Sequence, residues 1–193
     1  MDLVNGRTRQ EPAEMSRRHF IKMGALAALA CVSPMPCFGA LPEPGDDERI
    51  IFLYNTHTEE TLKAVYWING QYVPSTLADI DYILRDHRTG ETTRMNRVLL
   101  DLLHTLAVNL DATQPFHIIS GYRSPKTNAM LRKNGRGVAK RSYHMKGKAI
   151  DIRLPRCNIG LLVKAAMELR GGGVGYYPQS NFIHVDVGPI RCW

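Results

Sequence analysis

Long apolar runs, internal repeats and cysteines are scarce in this chain of 193 residues. The apolar run at residues 23–32 is too short to cross a bilayer, so we expect no stable membrane anchor. The chain shows no repeat and no sign of a second domain, and its length suits one domain with a single core. Hydrophobic residues make up 44% of the chain and aromatic residues 8%, which indicates a globular domain rather than a disordered chain.

Net charge and cysteine content say little about the partners of the chain or about its disulfides. The formal net charge is +7, a mild excess that permits an anionic partner without identifying it. No basic stretch is interleaved with aromatic residues, so we expect no nucleic-acid partner. Two of the four cysteines lie within the first 39 residues. The other two, Cys157 and Cys192, either pair in a disulfide or remain free thiols, because sequence does not give their separation.

The N-terminal segment has the features of an export signal. SRRHFIK, at residues 16–22, resembles the bacterial twin-arginine signal, and the apolar run that follows is typical of a signal peptide. Small residues at Cys37 and Gly39 allow cleavage after residue 39. We therefore expect a twin-arginine signal peptide over residues 1–39, a linker over 40–48, and delivery to the periplasm by the twin-arginine (Tat) export machinery. An uncleaved amphipathic helix is the alternative.

Strands and helices are interspersed from residue 49 onward. Strands are predicted over 49–55, 115–124, 149–154 and 181–187, and the β-rich runs on either side of Asn69-Gly70 predict a hairpin. Helices are predicted over 75–85, 96–110, 125–133 and 159–170. The inward face of the helix over 96–110 is predicted to consist of Val98, Leu99, Leu102, Leu103, Leu106 and Leu110. This mixture predicts an α+β fold with a small antiparallel sheet flanked by helices.

Polar side chains recur with a period of two on the last two predicted strands. Side chains two apart on a strand share a face, so His184 and Asp186 lie on one face and the intervening valine on the other. Asp151 likewise alternates with two isoleucines. If the two strands are neighbours, His184 and Asp151 converge. His144 precedes its strand by a few residues and can fold back toward them, with Gly147 permitting the bend.

Two imidazoles and one carboxylate form a three-ligand set with an open fourth position, which is the pattern of a catalytic zinc site. Zinc in such a site activates water at neutral pH. On spacing alone this interpretation competes with ordinary structural histidines, since the chain has seven. Four of the others are expected to be structural or solvated: His57, His87, His104 and His117.

Three separated motifs resemble the zinc peptidases that act on bacterial cell walls. They are SGYRS at 120–124, SYHMKGKAID at 142–151 and FIHVD at 182–186. Together they are similar to the superfamily of lysostaphin-type enzymes, D-alanyl-D-alanine carboxypeptidases and hedgehog domains, and more closely to the murein endopeptidase K group. The resemblance implies a zinc peptidase domain over residues 49–193, with a sheet that carries one zinc ion held by His144, Asp151 and His184.

The same resemblance implies roles for residues around the ion. Arg123 would polarise the scissile carbonyl as a fixed donor beside developing charge, the alternative being a salt bridge at a turn. Ser142 matches a substrate-facing serine, with a local hydroxyl–backbone hydrogen bond as the alternative, and Tyr143 is a candidate to line the cleft. Many relatives carry a glutamate or histidine shortly before the last ligand, and it is missing here. Asp186 is therefore either the general base or a carboxylate that orients a ligand histidine.

These features predict a zinc endopeptidase that hydrolyses cross-links of peptidoglycan in cell-wall turnover, at D-Ala–diaminopimelate or diaminopimelate–diaminopimelate bonds. A D,D-carboxypeptidase or dipeptidase acting on D-alanyl ends is the alternative among enzymes. A zinc-bearing module that binds cell wall without cutting it is the alternative outside enzymes.

The segment over residues 133–148 is strongly basic and contains no acid. It borders His144 and suits a substrate with free carboxylates, although a solvated loop without a role is an equal alternative. Its six basic side chains are Lys133, Arg136, Lys140, Arg141, Lys146 and Lys148.

Overall fold

A computed structural model of the chain describes residues 48–134 and 137–193. The predicted signal peptide and nearly all of the predicted linker lie outside these residues, as does Arg136 of the basic segment. Within the described ranges, no helix is both long enough and apolar enough to cross a membrane.

Strands and helices alternate much as the sequence predicts. The strands are β1 (Glu48–Asn55), β2 (Thr61–Ile68), β3 (Gln71–Tyr72), β4 (Phe116–Ser120), β5 (Ala149–Arg153), β6 (Gly173–Tyr177), β7 (Phe182–Asp186) and β8 (Arg191–Cys192). The α-helices are α1 (Pro74–Ile83), α2 (Arg97–Asn109), α3 (Pro125–Lys133) and α4 (Ile159–Glu168). Two short 3-10 helices, Tyr143–Lys146 and Pro178–Ser180, precede β5 and β7.

All of these strands join one sheet in the order β3-β2-β1-β4-β5-β7-β6-β8. The pairs β1–β4 and β6–β8 are parallel and the other pairs are antiparallel. The predicted α+β class is confirmed, but the sheet is larger than predicted and is mixed rather than antiparallel. The sequence does not predict β6 or β8, because the glycine-rich run 171–175 is typical of a helix end and β8 has only two residues.

The apolar faces of the central strands form one core with α1, α2 and α4. Leu99, Leu103 and Leu106 of α2 are buried as predicted. The prediction for Val98 was wrong, since this side chain is 59% exposed and Leu100 is buried instead. At 3.6 residues per turn, Val98 lies about 130° around the helix from the centre of the buried arc.

A buried cap places the start of α3 immediately after Arg123. Ser124 is fully buried, and its Oγ accepts a hydrogen bond from the backbone N–H of Thr127 at 3.2 Å. The backbone N–H of Ser124 donates to Oδ2 of Asp86 at 2.8 Å. Pro125 occupies the first turn, where its missing N–H costs nothing. The backbone beside Arg123 is therefore held firmly.

The two cysteines of the described chain are free thiols. Cys157 is half-buried and Cys192 is exposed. Of the two alternatives left open by the sequence, the structure has the unpaired one.

Candidate metal centre

Strand register brings Asp151 and His184 together. Asp151 of β5 lies directly opposite His184 of β7 in the antiparallel ladder. Their neighbours Ile150 and Ile183 are fully buried in the core, so alternation turns Asp151 and His184 to the opposite face of the sheet. Residues directly opposite one another have Cβ atoms about 4.5–5.5 Å apart, which lets the two side chains meet.

His144 reaches the same point from the 3-10 helix Tyr143–Lys146. Ser142 caps this helix, its Oγ accepting a hydrogen bond from the N–H of His144 at 3.3 Å. Gly147 ends it with a φ of 62°, and a Cβ there would lie 2.5 Å from the carbonyl oxygen of Arg94. Only glycine tolerates both the positive φ and the close approach of Arg94. The turn at Gly147 therefore determines the position of His144.

One atom from each of the three side chains faces a common point. Nε2 of His144 lies 3.2 Å from Nδ1 of His184 and 3.3 Å from Oδ1 of Asp151. Nδ1 of His184 lies 2.8 Å from the same oxygen. Tetrahedral zinc with bonds of about 2.0–2.1 Å would separate its ligand atoms by about 3.3 Å. Among the described residues, these three form the only cluster of its kind.

Hydrogen bonds at the outer nitrogens determine which way each imidazole faces. Nδ1 of His144 donates to the carbonyl oxygen of Gly121 at 2.8 Å, and Nε2 of His184 donates to Oδ2 of Asp186 at 2.9 Å. In its neutral form, each ring therefore turns its unprotonated nitrogen toward the cluster. Two lone pairs and a carboxylate at this distance repel one another unless a cation lies between them, so the donor set fits a divalent metal ion.

The pKa shifts at the cluster follow from burial and charge. Burial raises the pKa of Asp151, but the imidazoles of His144 and His184 outweigh it and hold this pKa below its ordinary value. Burial lowers the pKa of His184, but the carboxylates of Asp151 and Asp186 outweigh it and hold this pKa above its ordinary value. Without a metal, the cluster therefore favours a bound proton, which a metal ion must displace.

Asp186 lies behind His184 and is fully buried. Its Oδ2 accepts hydrogen bonds from His184 and from Nη2 of Arg191, the latter at 2.6 Å. Its Oδ1 accepts from the backbone N–H groups of Gly188 at 2.8 Å and Gly173 at 3.2 Å. The imidazole ring separates this carboxylate from the cluster, so its position favours the orienting role over the alternative of a general base.

The cluster opens into a pocket of about 440 Å³. Besides the three cluster residues, three more predicted site residues line it: Arg123, Ser142 and Tyr143. Tyr176 is 40% exposed and is not part of the lining. Further side chains that line the pocket are Arg141, Tyr177, Phe182, Arg191 and Trp193.

The guanidinium of Arg123 is largely buried, with a side chain 12% exposed. Its Nη2 lies 3.7 Å from Oδ2 of Asp151, which is too long for a hydrogen bond, and donates weakly to Oγ of Ser120 at 3.4 Å. Burial lowers its pKa and Asp151 opposes this, yet an arginine keeps its charge. A charged group with unused donors beside the cluster can bind an oxygen that gains negative charge.

The pocket residues Ser142 and Tyr143 also have structural contacts. The hydroxyl of Ser142 makes the local bond to the backbone of His144 that the sequence allowed as an alternative. The ring of Tyr143 lies 5.5 Å from the guanidinium carbon of Arg191. Among the described lysine and arginine side chains of residues 133–148, only that of Arg141 lines the pocket.

The sequence does not reveal the roles of Arg191 and Trp193, because no motif marks them. They enter the site through β8, whose parallel pairing with β6 places Cys192 beside Val174. The ring of Trp193 then lies 5.3 Å from that of His184. An arginine and an aromatic residue two positions apart are the only sequence signal, and it is a weak one.

Comparisons with known proteins identify the family of the chain. Residues 43–193 match the family model described as Peptidoglycan L,D-endopeptidase MepK. The chain is 41% identical over 180 residues to Peptidoglycan L,D-endopeptidase MepK of Escherichia coli (strain K12), covering 93% of this chain and 98% of that protein. It is 38% identical over 181 residues to the Probable peptidoglycan L,D-endopeptidase MepK of Haemophilus influenzae, covering 93% and 96%. These matches confirm the resemblance to the murein endopeptidase K group, and the chain belongs to the peptidoglycan L,D-endopeptidase MepK family.

Proposed function

We propose that this chain is a zinc metallo-endopeptidase that hydrolyses peptide cross-links of peptidoglycan in cell-wall turnover. The observation that carries the proposal is the triangle of Nε2 of His144, Nδ1 of His184 and Oδ1 of Asp151, with sides of 2.8–3.3 Å at an open pocket. The printed names of the relatives specify peptidoglycan as their substrate, and membership of the same family supports that substrate for this chain.

We assign His144, Asp151 and His184 as the ligands of one zinc ion. Two nitrogens and one oxygen near tetrahedral spacing suit zinc, and the pocket leaves a fourth position accessible. A bound zinc ion supplies an activated water and polarises a carbonyl at neutral pH. The protein contributes the orientation of the ligands, through the carbonyl of Gly121 on one ring and the carboxylate of Asp186 on the other.

Arg123 is assigned to the oxygen of the scissile carbonyl. This oxygen gains negative charge during attack, and a preorganised donor beside it accelerates the reaction by about 10²–10³-fold. The N–H group at Nε2 of His184 donates a hydrogen bond to Asp186, so Asp186 is assigned a positioning role. Ser142 and Tyr143 face the pocket and are assigned to contacts with the peptide.

The printed name of the relatives indicates which cross-link is hydrolysed. An L,D-endopeptidase cuts an amide whose carbonyl belongs to an L centre and whose nitrogen belongs to a D centre. A diaminopimelate–diaminopimelate cross-link has this arrangement, whereas a D-Ala–diaminopimelate link has a D centre on the carbonyl side. We therefore favour the former. Its free carboxylates suit Arg141, which lines the pocket and is exposed.

Digestion of purified sacculi tests this function. The metal-loaded protein should convert diaminopimelate–diaminopimelate-linked muropeptide dimers to monomers, a chelator should stop the reaction, and added zinc should restore it. Product masses distinguish the alternatives. Loss of a single alanine from monomers would indicate a D,D-carboxypeptidase, and binding to sacculi without any cleavage would indicate a binding module. A His144→Ala variant is the matched inactive control.

We also propose that the protein is exported to the periplasm by the twin-arginine route, with residues 1–39 as the signal peptide and 40–48 as a linker. The proposal is supported by the SRRHFIK motif at residues 16–22. Replacement of Arg17 and Arg18 by lysine should leave the unprocessed chain in the cytoplasm, as measured by cell fractionation. Unchanged export of that variant would contradict the proposal.

A further inference from the structure

Arg191 binds both oxygens of the buried Asp186 carboxylate. Its Nη2 donates to Oδ2 at 2.6 Å and its Nη1 donates to Oδ1 at 3.1 Å. Nη1 also donates to the carbonyl oxygen of Pro189 at 2.9 Å. Asp186 is fully buried, whereas the side chain of Arg191 is 39% exposed. Apart from His184, Arg191 is the only cationic side chain that pairs with this carboxylate among the described residues.

The contacts of Arg191 continue directly to the metal centre. The oxygen that receives Nη2 of Arg191 is the same Oδ2 that receives Nε2–H of His184. A carboxylate held at both oxygens cannot rotate about its terminal bond without breaking a charge-assisted hydrogen bond. The guanidinium, together with the backbone N–H groups of Gly173 and Gly188, therefore determines the plane of the Asp186 carboxylate and with it the rotation of the His184 ring.

Two aromatic rings hold the guanidinium in place. Its central carbon lies 4.9 Å from the ring centre of Trp193 and 5.5 Å from that of Tyr143. A planar guanidinium can contact aromatic rings and still bind a carboxylate with two parallel bonds, whereas the ammonium of a lysine is a single point of charge. This arrangement is specific to arginine.

Glycines at positions 173 and 188 leave room for these contacts. A Cβ at Gly173 would contact Nη1 of Arg191 and would lie 2.7 Å from Oδ2 of Asp186. A Cβ at Gly188 would lie 2.7 Å from ring atoms of Tyr143. Glycine at both positions lets the backbone N–H groups and the guanidinium approach the same carboxylate.

We propose that Arg191 is a positioning residue, which acts through Asp186 to hold His184 in the orientation that presents Nδ1 to the metal. The inference rests on the metal centre of the proposed function. Outer partners of ligand side chains commonly change metal affinity 10–100-fold, and we expect a loss in this range for Arg191→Ala. Arg191→Lys should restore only part of it, since one ammonium cannot bind both oxygens in the same geometry.

The test is a zinc titration of the metal-free chain in competition with a chromogenic chelator, which measures affinity without peptidoglycan. The variants are Arg191→Ala, Arg191→Lys, Asp186→Asn and the double variant Arg191→Ala/Asp186→Asn. If Arg191 acts through Asp186, adding Arg191→Ala to Asp186→Asn should lower zinc affinity by less than about twofold further.

Arg85 provides a matched control. It binds both carboxylate oxygens of Glu60 at 2.7 and 3.1 Å and lies 4.0 Å from the ring of Tyr82, so it shares with Arg191 a two-oxygen carboxylate pair and an aromatic contact, but its partner is not hydrogen-bonded to a residue of the cluster. Arg85→Ala should leave zinc affinity unchanged. Circular dichroism of the metal-free proteins checks folding, and Arg191→Gln replaces the alanine variant if that variant does not fold.

Two outcomes would overturn the inference while leaving the metal centre in place. Equal zinc affinity of the wild type and a folded Arg191 variant would show that Arg191 does not position His184. Additive losses in the double variant would show that it acts independently of Asp186. A wild type that binds no zinc would remove the metal centre itself, and sacculus digestion reports that failure separately.

Discussion

Replacement of Arg123 tests whether a guanidinium with unused donors stabilises charge in the reaction. The nearest carboxylate oxygen, Oδ2 of Asp151, lies 3.7 Å from Nη2 of Arg123, and the hydroxyl of Ser120 lies at 3.4 Å. Arg191 differs, because its nitrogens lie 2.6 and 3.1 Å from the oxygens of Asp186. The donors of Arg123 are therefore available to a substrate, whereas those of Arg191 are engaged by the protein.

The distances also determine the expected size of the effect. Removing one donor to a developing oxyanion costs about 10²–10³-fold in kcat, or about 2.7–4 kcal/mol, so we expect this loss for Arg123→Ala with little change in KM. Because the pair with Asp151 is longer than a hydrogen bond, zinc affinity should change by less than about tenfold, or about 1.4 kcal/mol. Arg123→Lys keeps the charge but loses the fork of donors, and its kcat should lie between those of the wild type and the alanine variant.

The assay uses a purified diaminopimelate–diaminopimelate-linked muropeptide dimer, with products separated by chromatography and zinc content measured by atomic absorption. Arg85→Ala, which removes an arginine whose side chain pairs with Glu60 and not with a residue of the cluster, is the control. The reasoning about Arg123 would be refuted by a kcat within about threefold of the wild type, or by zinc content that falls in parallel with activity.

Four further perturbations have defined outcomes. His144→Ala should lose zinc and sacculus digestion together, and full zinc content in this variant would contradict its role as a ligand. Burial lowers the pKa of His184, but two carboxylates outweigh burial and hold this pKa above its ordinary value. Protons therefore compete with zinc, so zinc affinity should still be rising with pH above the ordinary imidazole pKa, and an affinity that does not change with pH would contradict this. Arg141→Ala should raise KM for cross-linked dimers with little change in kcat, and an unchanged KM would remove Arg141 from substrate binding. Burial raises the pKa of Asp86, but hydrogen bonds from Thr127 and Ser124 outweigh burial and lower this pKa to about 2. The Asp86 carboxylate should therefore contribute about 2 kcal/mol to the free energy of unfolding above about pH 4, and this contribution should be lost as the pH falls through about 2. Asp86→Asn should remove that acid-dependent part from denaturation curves.

Local patterns predicted most of the elements and the polar faces. The hairpin at Asn69-Gly70 and the helix after Ser124 depend on residues that lie next to one another in the chain. The same is true of the alternation that separates Asp151 and His184 from the core. Predictions failed where local signals were weak or ambiguous, as at Val98, where the buried arc of α2 is turned toward Leu100, and along the glycine-rich β6.

Strand neighbours are a different matter, because pairing depends on contacts between distant segments. Nothing in the local pattern requires β5 to lie beside β7, or β8 to pair in parallel with β6. The role of Asp186 illustrates the consequence. Its place two residues after His184 allowed either a general base or an orienting carboxylate, and the choice depends on which nitrogen of the imidazole it contacts.

The sequence by itself determined the family, the α+β class and the three side chains that could share a metal ion, because these are properties of motifs and of side-chain alternation along single strands. Tertiary structure alone decided that the three donor atoms meet, that Arg123 keeps free donors while Arg191 does not, and that Asp186 supports His184 from behind. These facts arise from strand register and from the burial of charges, which exist only once distant parts of the chain have packed together.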